Sequence, residues 1–379
     1  MLAKTEKSEK KKRVMLIITN VCNLNCEYCF EHEKNVKVMS FDTARTVIDE
    51  AFEDIQEYAG GIVEVFGGEP FLNFELIKQI YDYIKEKYPD QDITFETTTN
   101  GTMVHGEIQD WLYERRNEFD IALSLDGPEE IHNMVRPMRS GEGSFSRLDK
   151  EFFLKTWSNC IAKMTINERT LPFLSESLKY VESLGFTSKC SLAIGMRWNG
   201  TDNEKILTRE LGKLVDYYLE DNNRRLCLLL SFDLRLLFYP YNPCYRYCGV
   251  GGYQMICYDH NGDKYPCQGF SPISIGKDSE KFKNLDENSF EISDDNPCKT
   301  CRFLRICNNC YSANYQASGN IQRQVPEQCL FNRLCMLASA NIRYHRIMSK
   351  GLDNLTDDDR LILKAIQIIQ EEVMNCGLK

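Results

Sequence analysis

Hydrophobic and polar positions alternate in two different patterns over the first half of this chain. Short hydrophobic segments predict six strands, at residues 14–19, 62–66, 92–98, 120–125, 160–166 and 189–196. Segments with hydrophobic residues at helical spacing lie between them and predict helices that include residues 41–58, 74–88, 106–116 and 173–184. Strands that alternate with helices predict an α/β fold with a parallel sheet, in which ligand-binding residues follow the carboxyl ends of the strands.

The second half of the chain shows further patterns. Residues 202–219 predict an amphipathic helix, and residues 226–241 predict an apolar connector that packs between two modules. Asn261-Gly262 separates two alternating segments, which is the strongest short-range signal of a β-hairpin. Residues 356–373 predict a helix that docks on the core.

Composition and charge argue against two classes of partner, nucleic acids and membranes. The 379 residues carry a formal net charge of −10 and show no basic face, so nucleic acid is not expected as the main partner. No apolar segment approaches the ~18–20 residues of a membrane span, so no membrane partner is expected. Residues 4–13 are charged, lack the apolar stretch of a secretory signal and are predicted to be a solvated, frayed tail.

Cysteine is unusually frequent, with 17 residues against five histidines. Without a secretory signal, this number favours metal or cluster ligation over a disulfide framework. Many thiols beside few imidazoles favour iron–sulfur clusters over zinc fingers. Such clusters are sensitive to oxygen, so an anaerobic cytoplasm is the expected setting.

Three of the cysteines form a compact motif directly after the first predicted strand. Cys22, Cys26 and Cys29 have CxxxCxxC spacing and fit on one tight loop. They can ligate three irons of a [4Fe–4S] cube, which normally takes four thiolates, and leave the fourth iron open to another ligand. The spacing alone is also compatible with a zinc knuckle or with three buried core thiols.

The motif and its surroundings resemble the radical S-adenosylmethionine (radical SAM) superfamily. Tyr28 lies between the last two cysteines, where the family places an aromatic residue beside the adenine. The resemblance implies a partial (β/α)6 barrel in which the open iron chelates the amino and carboxylate groups of SAM. One electron from the cluster then cleaves SAM to methionine and a 5′-deoxyadenosyl radical.

Further contacts to SAM are implied at the ends of the following strands. The family uses a GGEP stretch, here at residues 67–70, to hold the methionine amino group. Ser124 and Arg136 are implied to bind the ribose and carboxylate region, since an arginine fork suits a carboxylate. Arg136 could instead form a surface ion pair. Ala193 represents the apolar residues of the sixth strand, which would face the adenine. The predicted SAM-binding set is Tyr28, Gly67, Gly68, Glu69, Pro70, Asn100, Ser124, Arg136 and Ala193.

A second group of cysteines resembles the SPASM domain, a module that carries two auxiliary [4Fe–4S] clusters. By that resemblance, the first auxiliary cluster is held by Cys244, Cys248, Cys267 and Cys310. The second is held by Cys298, Cys301, Cys307 and Cys329. The family has three residues between its last two closely spaced cysteines, where this chain has two. The same segment could instead form two zinc ribbons. The other six cysteines are expected to be structural, although Cys335 could substitute for Cys329 and any of them could donate a hydrogen atom.

The predicted organisation has five segments. They are a charged tail (1–13), the radical SAM partial barrel (14–198), a helical connector (199–243), the SPASM domain (244–335) and a C-terminal helical tail (336–379). The predicted cofactors are three [4Fe–4S] clusters and SAM. The predicted partners are a peptide or protein substrate and an external electron donor of the flavodoxin or ferredoxin type. Many peptide maturases of this family begin with a leader-binding domain. Since only 13 residues precede the first predicted strand, the expected alternatives are a separate leader-binding protein as a further partner, a leaderless route, or recognition of the substrate by the barrel itself.

The leading functional interpretation is a radical SAM/SPASM peptide maturase. It would abstract hydrogen from a peptide carbon and form a thioether or carbon–carbon cross-link. Anaerobic sulfatase-maturating enzymes, which oxidise Cys or Ser to formylglycine, also resemble the chain but place an Asp base where this chain has Gln268. Asp126, Asp259 and Asp263 are the remaining candidates for a base. A peptide epimerase is a third possible function. A non-catalytic iron–sulfur electron carrier and a zinc-bound adaptor represent a different class of protein.

Overall fold

The computed structural model describes residues 8–196, 202–238, 247–252 and 254–375. The strands in these residues are β1 (Ser8–Thr19), β2 (Tyr58–Gly67), β3 (Ile93–Thr99), β4 (Phe119–Ser124), β5 (Ile161–Ile166), β6 (Thr187–Leu192), β7 (Ile256–Tyr258) and β8 (Lys264–Tyr265). The helices are α1 (Phe41–Ala51), α2 (Phe74–Lys87), α3 (Glu107–Glu114), α4 (Glu129–Val135), α5 (Lys150–Thr156), α6 (Leu174–Ser183), α7 (Asp202–Leu219), α8 (Pro272–Ile275), α9 (Tyr311–Ser318), α10 (Pro326–Met348) and α11 (Asp357–Asn375).

The sheet confirms the predicted α/β class. Its strand order is β6-β5-β4-β3-β2-β1-β7-β8, and neighbouring strands from β1 to β5 pair in parallel. All six predicted strands are present, although their ends differ from the predicted ones. The predicted hairpin is also present, with Gly262 at a φ of 87° in its turn. Because β7 pairs in parallel with β1, the hairpin extends the sheet beyond the six predicted strands.

The chain divides into two compact units. The first comprises the described residues up to Leu125, together with His132–Lys163 and Gly249–Phe290. The second comprises Asp126–Ile131 and the described residues within the ranges 164–248 and 291–379. This division places the hairpin in the first unit and strand β6 in the second. The five predicted segments therefore do not coincide with the compact units, and their boundaries stay predictions.

The prediction of a frayed N-terminal tail is wrong for residues 8–13, which are the first half of β1. Their backbone pairs with β2, from Ser8 opposite Tyr58 onwards. Arg13 contributes the charged contacts that make this segment stable in a sheet. Its guanidinium group lies 2.9 Å from a carboxylate oxygen of Glu64 on β2 and 2.6 Å from one of Glu96 on β3. The charged composition of residues 4–13 suggested a solvated segment, but carboxylates that pair with Arg13 lie on the neighbouring strands.

The prediction of one helix over residues 41–58 is wrong beyond Ala51. The helix begins as a capped helix should, because the Ser40 hydroxyl accepts a hydrogen bond from the Thr43 amide at 3.1 Å. A 3-10 turn follows at Ile55–Glu57, and Tyr58 already belongs to β2. Sheet pairing with β1 therefore overrides the local helical pattern at the end of the segment, since non-local pairing is invisible to a sequence window.

The second unit confirms the predicted helix at residues 202–219 without change. Arg346 on α10 holds the end of this helix, because its guanidinium group donates hydrogen bonds to the carbonyls of Tyr218 and Arg224 at 2.8 and 2.9 Å. The apolar connector contains the 3-10 turns Leu228–Leu230 and Leu234–Phe238, and its residues 239–241 lie outside the described residues. Its predicted packing between modules stays a prediction.

The last predicted helix corresponds to α11. It begins directly after Thr356, whose hydroxyl accepts a hydrogen bond from the Asp359 amide at 3.1 Å. The Asp359 carboxylate in turn accepts one from the Thr356 amide at 3.0 Å, so the two residues cap the helix reciprocally. No helix within the described residues combines the length and the apolar composition needed to cross a membrane.

Replacing Arg13 by Met tests the ion pairs of β1. Burial raises the pKa of Glu64, and Arg13 opposes this effect. We therefore expect Arg13→Met to lower the free energy of unfolding by about 1–3 kcal/mol, the usual cost of leaving a buried polar group without its partner. Urea unfolding followed by circular dichroism measures the change. Adding Glu64→Gln to this variant should recover part of the loss, because a neutral amide is easier to bury; no loss in the single variant would contradict the structural role of the pair.

Candidate active site

The loop that carries Cys22, Cys26 and Cys29 follows β1 directly and is held along its length by residues 135–139. The amide of Asn25 donates a hydrogen bond to the Pro137 carbonyl at 2.8 Å, and the amide of Glu27 donates one to the Val135 carbonyl at 3.0 Å. Leu24 and Met138 also form an antiparallel bridge. Backbone hydrogen bonds to residues 135–139 therefore define the conformation of the loop within the first unit.

The three cysteines differ in their exposure. Cys22 is buried, and this burial raises the pKa of its thiol to about 11 against the opposing charge of Lys34. Cys26 and Cys29 are half-buried and line a cavity of about 490 Å³ with a predominantly polar lining. The arrangement leaves open space beside the thiols that the CxxxCxxC motif predicts as cluster ligands.

The glycines at the end of β2 allow the strand to approach the cysteine loop. A Cβ atom on Gly67 would collide with the carbonyl oxygen of Thr19, and one on Gly68 with that of Val21. The Gly68 amide donates a hydrogen bond to the Thr19 carbonyl at 2.9 Å, and the Glu69 amide donates one to the Val21 carbonyl at 2.8 Å. The close approach that these glycines allow is to the backbone of the loop, and the contact of residues 67–70 with SAM stays a prediction.

The Glu69 carboxylate ties the ends of β2 and β3 together. It is 1% exposed and accepts hydrogen bonds from the Thr99 hydroxyl at 2.7 Å, the Asn100 amide at 2.8 Å and the Phe71 amide at 3.3 Å. Burial raises the pKa of Glu69 to about 7, and these hydrogen bonds oppose the shift. The Asn100 side chain extends the network by donating to the Asn23 side chain on the cysteine loop at 2.8 Å.

Arg136 lies beside the cysteine loop, as the resemblance implies. Its guanidinium group stacks over the Tyr28 ring at 5.2 Å from the centroid and lies 4.0 Å from the Cys26 sulfur. The residue is 7% exposed and therefore does not lie on the surface. Ser124 ends β4 in the same unit and is buried, whereas Ala193 follows β6 in the second unit.

Two charged residues beside the cysteine loop were missed by the sequence analysis. Glu31 is 6% exposed, its Oε1 atom has no hydrogen-bond partner, and burial raises its pKa to about 8 against the opposing charge of Lys34. Burial works to lower the pKa of Lys34, but the charges of Cys22 and Cys29 outweigh it and raise the pKa overall. The signal that could have found Glu31 is its position two residues after Cys29.

Four cysteines of the second group lie together in the second unit. Cys298, Cys301, Cys307 and Cys329 line one cavity of about 240 Å³. Asn332 on α10 donates hydrogen bonds to the Cys307 sulfur at 3.4 Å and to the Asn308 carbonyl at 3.1 Å. Burial raises the pKa of Cys307 to about 12, and the bond from Asn332 opposes the shift. These are the four residues that the SPASM resemblance assigns to the second auxiliary cluster.

Three of the four residues assigned to the first auxiliary cluster lie within the described residues, and their common ligation of a cluster stays a prediction. Cys267 lies in the first unit and Cys248 and Cys310 in the second, while Cys244 lies outside the described residues. Cys310 lines a different cavity, of about 380 Å³, which also has Ala193, Cys190, Phe331 and Cys335 in its wall. Cys335 therefore does not share the cavity of Cys329, for which it was considered a substitute.

The three candidate bases have different surroundings. The Asp126 carboxylate accepts a hydrogen bond from the Thr165 amide at 2.8 Å, and the Asp263 carboxylate pairs with Lys283 at 2.9 Å. Asp259 is 2% exposed; its Oδ1 atom accepts hydrogen bonds from the amides of the hairpin turn, whereas its Oδ2 atom has no partner. Asp259 is thus the candidate with an unused acceptor, and its role stays a prediction.

The donor atoms of the chain fit iron–sulfur clusters. Both cysteine-lined cavities offer soft thiol ligands, which iron–sulfur clusters select. Within the described ranges, no three Cys, His, Asp or Glu side chains converge on a single metal-ion position. Cys22, Cys26 and Cys29 would hold the first cluster, and the Glu69 network and Arg136 would border the SAM that binds to it.

Comparisons with known proteins agree with these observations. Residues 16–150 match the radical SAM superfamily model. The chain is 29% identical to an uncharacterized protein, MJ0907, of Methanocaldococcus jannaschii, over 72% of this chain and 91% of that protein. It is 25% identical to the cysteine-type anaerobic sulfatase-maturating enzyme of Clostridium perfringens (strain ATCC 13124), over 76% and 84% of the two chains. It is 27% identical to the radical SAM cyclopropyl synthase TigE of Paramaledivibacter caminithermalis, over 43% and 37%.

The fold agrees with a solved structure as well. Native anSMEcpe with bound AdoMet and the Cp18Cys peptide superimposes with a TM-score of 0.67 at 20% identity, over 94% of this chain and 99% of that one. Residues 16–150 are therefore a radical SAM domain, and the chain is a radical SAM enzyme, a class that uses a [4Fe–4S] cluster and SAM. The predicted family is confirmed, while the SPASM module and the residue roles stay predictions.

Replacing Gly68 by Ala tests how β2 supports the cysteine loop. The new Cβ atom would meet the Val21 carbonyl, so the loop must shift and its thiols should hold a cluster less well. We expect iron and sulfide analysis after anaerobic reconstitution to show a loss of about four irons per chain, one cube. Gly212→Ala is the matched control, because a Cβ atom on this helical glycine meets nothing within 4 Å. Equal iron content in both variants would contradict the support of the loop by β2.

Proposed function

We propose that this chain oxidises a peptide or protein substrate by two electrons and forms a thioether or carbon–carbon cross-link in it. The cavity lined by Cys298, Cys301, Cys307 and Cys329 carries the proposal, because it offers a complete set of four thiol ligands in addition to the Cys22 motif. The relatives named as acting on sulfatases and as a cyclopropyl synthase support a macromolecular substrate and radical chemistry.

The residues of the first unit position the cofactors. When bound, the cluster and SAM supply a radical that removes a hydrogen atom from a substrate carbon. Cys22, Cys26 and Cys29 ligate the cluster, and the hydrogen bonds around Glu69 keep their loop in place. Arg136, stacked on Tyr28, presents a guanidinium group that suits the carboxylate of SAM.

The residues of the second unit provide a route for the second electron. After one hydrogen atom has been removed, one more electron and one proton must leave the substrate before a new bond is complete. The cavity of Cys298, Cys301, Cys307 and Cys329 can hold a cluster with a protein ligand on every iron, which suits electron transfer rather than binding of a substrate thiol. Cys244, Cys248, Cys267 and Cys310 are proposed to hold a further cluster. A flavodoxin or ferredoxin would supply the electron that starts each turnover.

A second cavity in the same unit is suited to a substrate side chain. Its volume of about 380 Å³ lies in the range of small-ligand sites, roughly 300–1,000 Å³. Its walls are mainly apolar and include Leu192 and Phe331, and Cys310 is one of its lining residues. A peptide side chain in this cavity would be bound beside a ligand of the proposed further cluster. A separate leader-binding protein is proposed to deliver the peptide.

Formation of formylglycine on a sulfatase is the second candidate function. The similarity to the sulfatase-maturating enzyme of Clostridium perfringens, over 84% of its length, favours it. Gln268 disfavours it, since an amide cannot accept a proton at neutral pH where the resemblance places an aspartate base. Asp259, with its unpartnered Oδ2 atom, is the residue that would have to replace that base.

Mass spectrometry of a substrate after turnover distinguishes these functions. The full chain is reconstituted anaerobically with iron and sulfide, reduced with dithionite and supplied with SAM and the small proteins encoded beside its gene. We expect 5′-deoxyadenosine together with a loss of two hydrogens from one of these proteins and no reaction with an aldehyde probe.

Parallel reactions provide the contrasting outcomes. An aldehyde in the Cp18Cys peptide, or in one of the encoded proteins, would support formylglycine formation instead of a cross-link. An unchanged mass with one deuterium gained from D2O would indicate epimerisation, for which Cys190 and Cys335 in the cavity wall are hydrogen donors. Absence of 5′-deoxyadenosine under all conditions would contradict radical chemistry by this chain.

Replacing Cys329 by Ala tests the proposed electron acceptor. The wild-type chain is expected to hold about twelve irons and the variant about eight, because one cube of four is lost. SAM cleavage without substrate should continue, while substrate modification should fall at least tenfold. The control is Cys227→Ala, a buried thiol of the same unit that lines neither cavity. Substrate modification at the wild-type rate by Cys329→Ala would exclude a role for this cluster in the reaction.

A further inference from the structure

The cavity of about 380 Å³ beside Cys310 combines apolar walls with one carboxylate oxygen that lacks a partner. Leu192, Ile194 and Phe331 contribute apolar side chains to its wall. Glu327, in the first turn of α10, lines the same cavity, and its Oε2 atom is buried without a hydrogen-bond partner among the described residues. The cavity therefore offers an apolar surface and one acceptor for a hydrogen-bond donor, which is the usual composition of a specific ligand site.

The position of Glu327 at the start of a helix does not account for this buried oxygen atom. A negative side chain in the first turn is favoured by the positive end of the helix dipole. That interaction also acts on a fully exposed carboxylate and does not require an oxygen atom to be buried. A buried acceptor without a donor is unfavourable, so a ligand that supplies a donor should bind there.

Other polar groups in the wall do not neutralise Glu327. The Gln328 side chain donates a hydrogen bond to the Asn332 side chain at 3.1 Å, and the Asn332 side chain donates one to the Asn308 carbonyl at 3.1 Å. Lys189 also lines the cavity, but it is exposed, and no ion pair joins it to Glu327 within the described residues. Among the described residues of the wall, Glu327 is the only carboxylate.

We infer that Glu327 is a specificity-determining residue that selects a basic side chain of the substrate peptide. Lysine and arginine both have an aliphatic stem, which can pack against the apolar wall, and a cationic end, which can donate a hydrogen bond to the Oε2 atom of Glu327. The net charge of −10 also favours the approach of a basic peptide. The inference rests on the proposed function only in placing a substrate side chain in this cavity, and it is independent of the bond that is formed.

The test measures which side chain the cavity selects. The full chain, reconstituted anaerobically with iron and sulfide, is dialysed to equilibrium against an equimolar mixture of acetylated Gly-Gly-X-Gly-Gly amides, in which X is Lys, Arg, norleucine, Gln or Glu. Salt at about 0.15 M screens the net charge of the chain, and mass spectrometry gives the bound fraction of each peptide. We expect the Lys and Arg peptides to bind at least fivefold more tightly than the norleucine peptide, which has the lysine stem without its ammonium group.

Glu327→Gln should remove this preference. Its affinity for the Lys and Arg peptides should fall at least fivefold, while its affinity for the norleucine peptide should stay within about twofold of the wild type. Glu327→Lys should reverse the preference, so that the Glu peptide binds more tightly than the Lys peptide. Glu291→Gln is the matched control, since it removes the same charge from an exposed residue of the same unit outside the cavity and should bind all peptides as the wild type does.

Three outcomes would overturn the inference. Equal binding of the Lys and norleucine peptides by the wild type would mean that the cavity does not select a cation. A preference that persists in Glu327→Gln would place the cation elsewhere, and equal weakening of all peptides would mean that Glu327 only supports the start of α10. The proposed function is judged separately: a preference for basic peptides without a cross-linked product would contradict that function alone, and a cross-linked product without this preference would contradict the inference alone.

Discussion

The hydrogen bonds that join the ends of β1, β2 and β3 determine the geometry of the cysteine loop. The loop begins where β1 ends, and the Gly68 and Glu69 amides bind its first carbonyls. The Glu69 carboxylate then reaches the end of β3 through Thr99 and Asn100. Because neither Gly67 nor Gly68 has a Cβ atom, the backbones approach closely enough for these bonds. The cysteine loop thereby receives its shape from the sheet.

Burial of charge around this loop gives the site its chemical character. Glu31 and Glu69 are both almost inaccessible to solvent, and burial raises the pKa of each. Buried carboxylates are unfavourable unless they are hydrogen-bonded or paired, and only Glu69 finds all its partners within the protein. Arg136 is a buried charged side chain as well, and its guanidinium group is partnered by the Tyr28 ring over which it lies. The polar cavity beside Cys26 and Cys29 is thus lined by side chains of both charge signs.

Much of the fold and part of the site could be predicted from the sequence. The strands, the helix at residues 202–219 and the hairpin at Asn261-Gly262 follow from local patterns that the tertiary structure does not override. Residues 8–13 and Tyr58 were predicted incorrectly because their conformation depends on pairing between β1 and β2. The CxxxCxxC spacing predicts the first ligand set, since three thiols fit on one short loop. Asn332 carries no local signal, because its contacts come from a distant segment, and Glu31 is marked only by its position two residues after Cys29.

The sequence by itself determined the radical SAM class, because the chemistry resides in a contiguous cysteine motif and in short segments at strand ends. Only the tertiary structure decided which groups have partners. It placed Cys298, Cys301, Cys307 and Cys329 in one cavity and Cys310 in the wall of another, although Cys307 and Cys310 are three positions apart. It also satisfied Glu69 and left Glu31 with an open acceptor. Whether a buried polar group finds a hydrogen-bond partner depends on three-dimensional packing. The spacing of residues along the chain does not determine it.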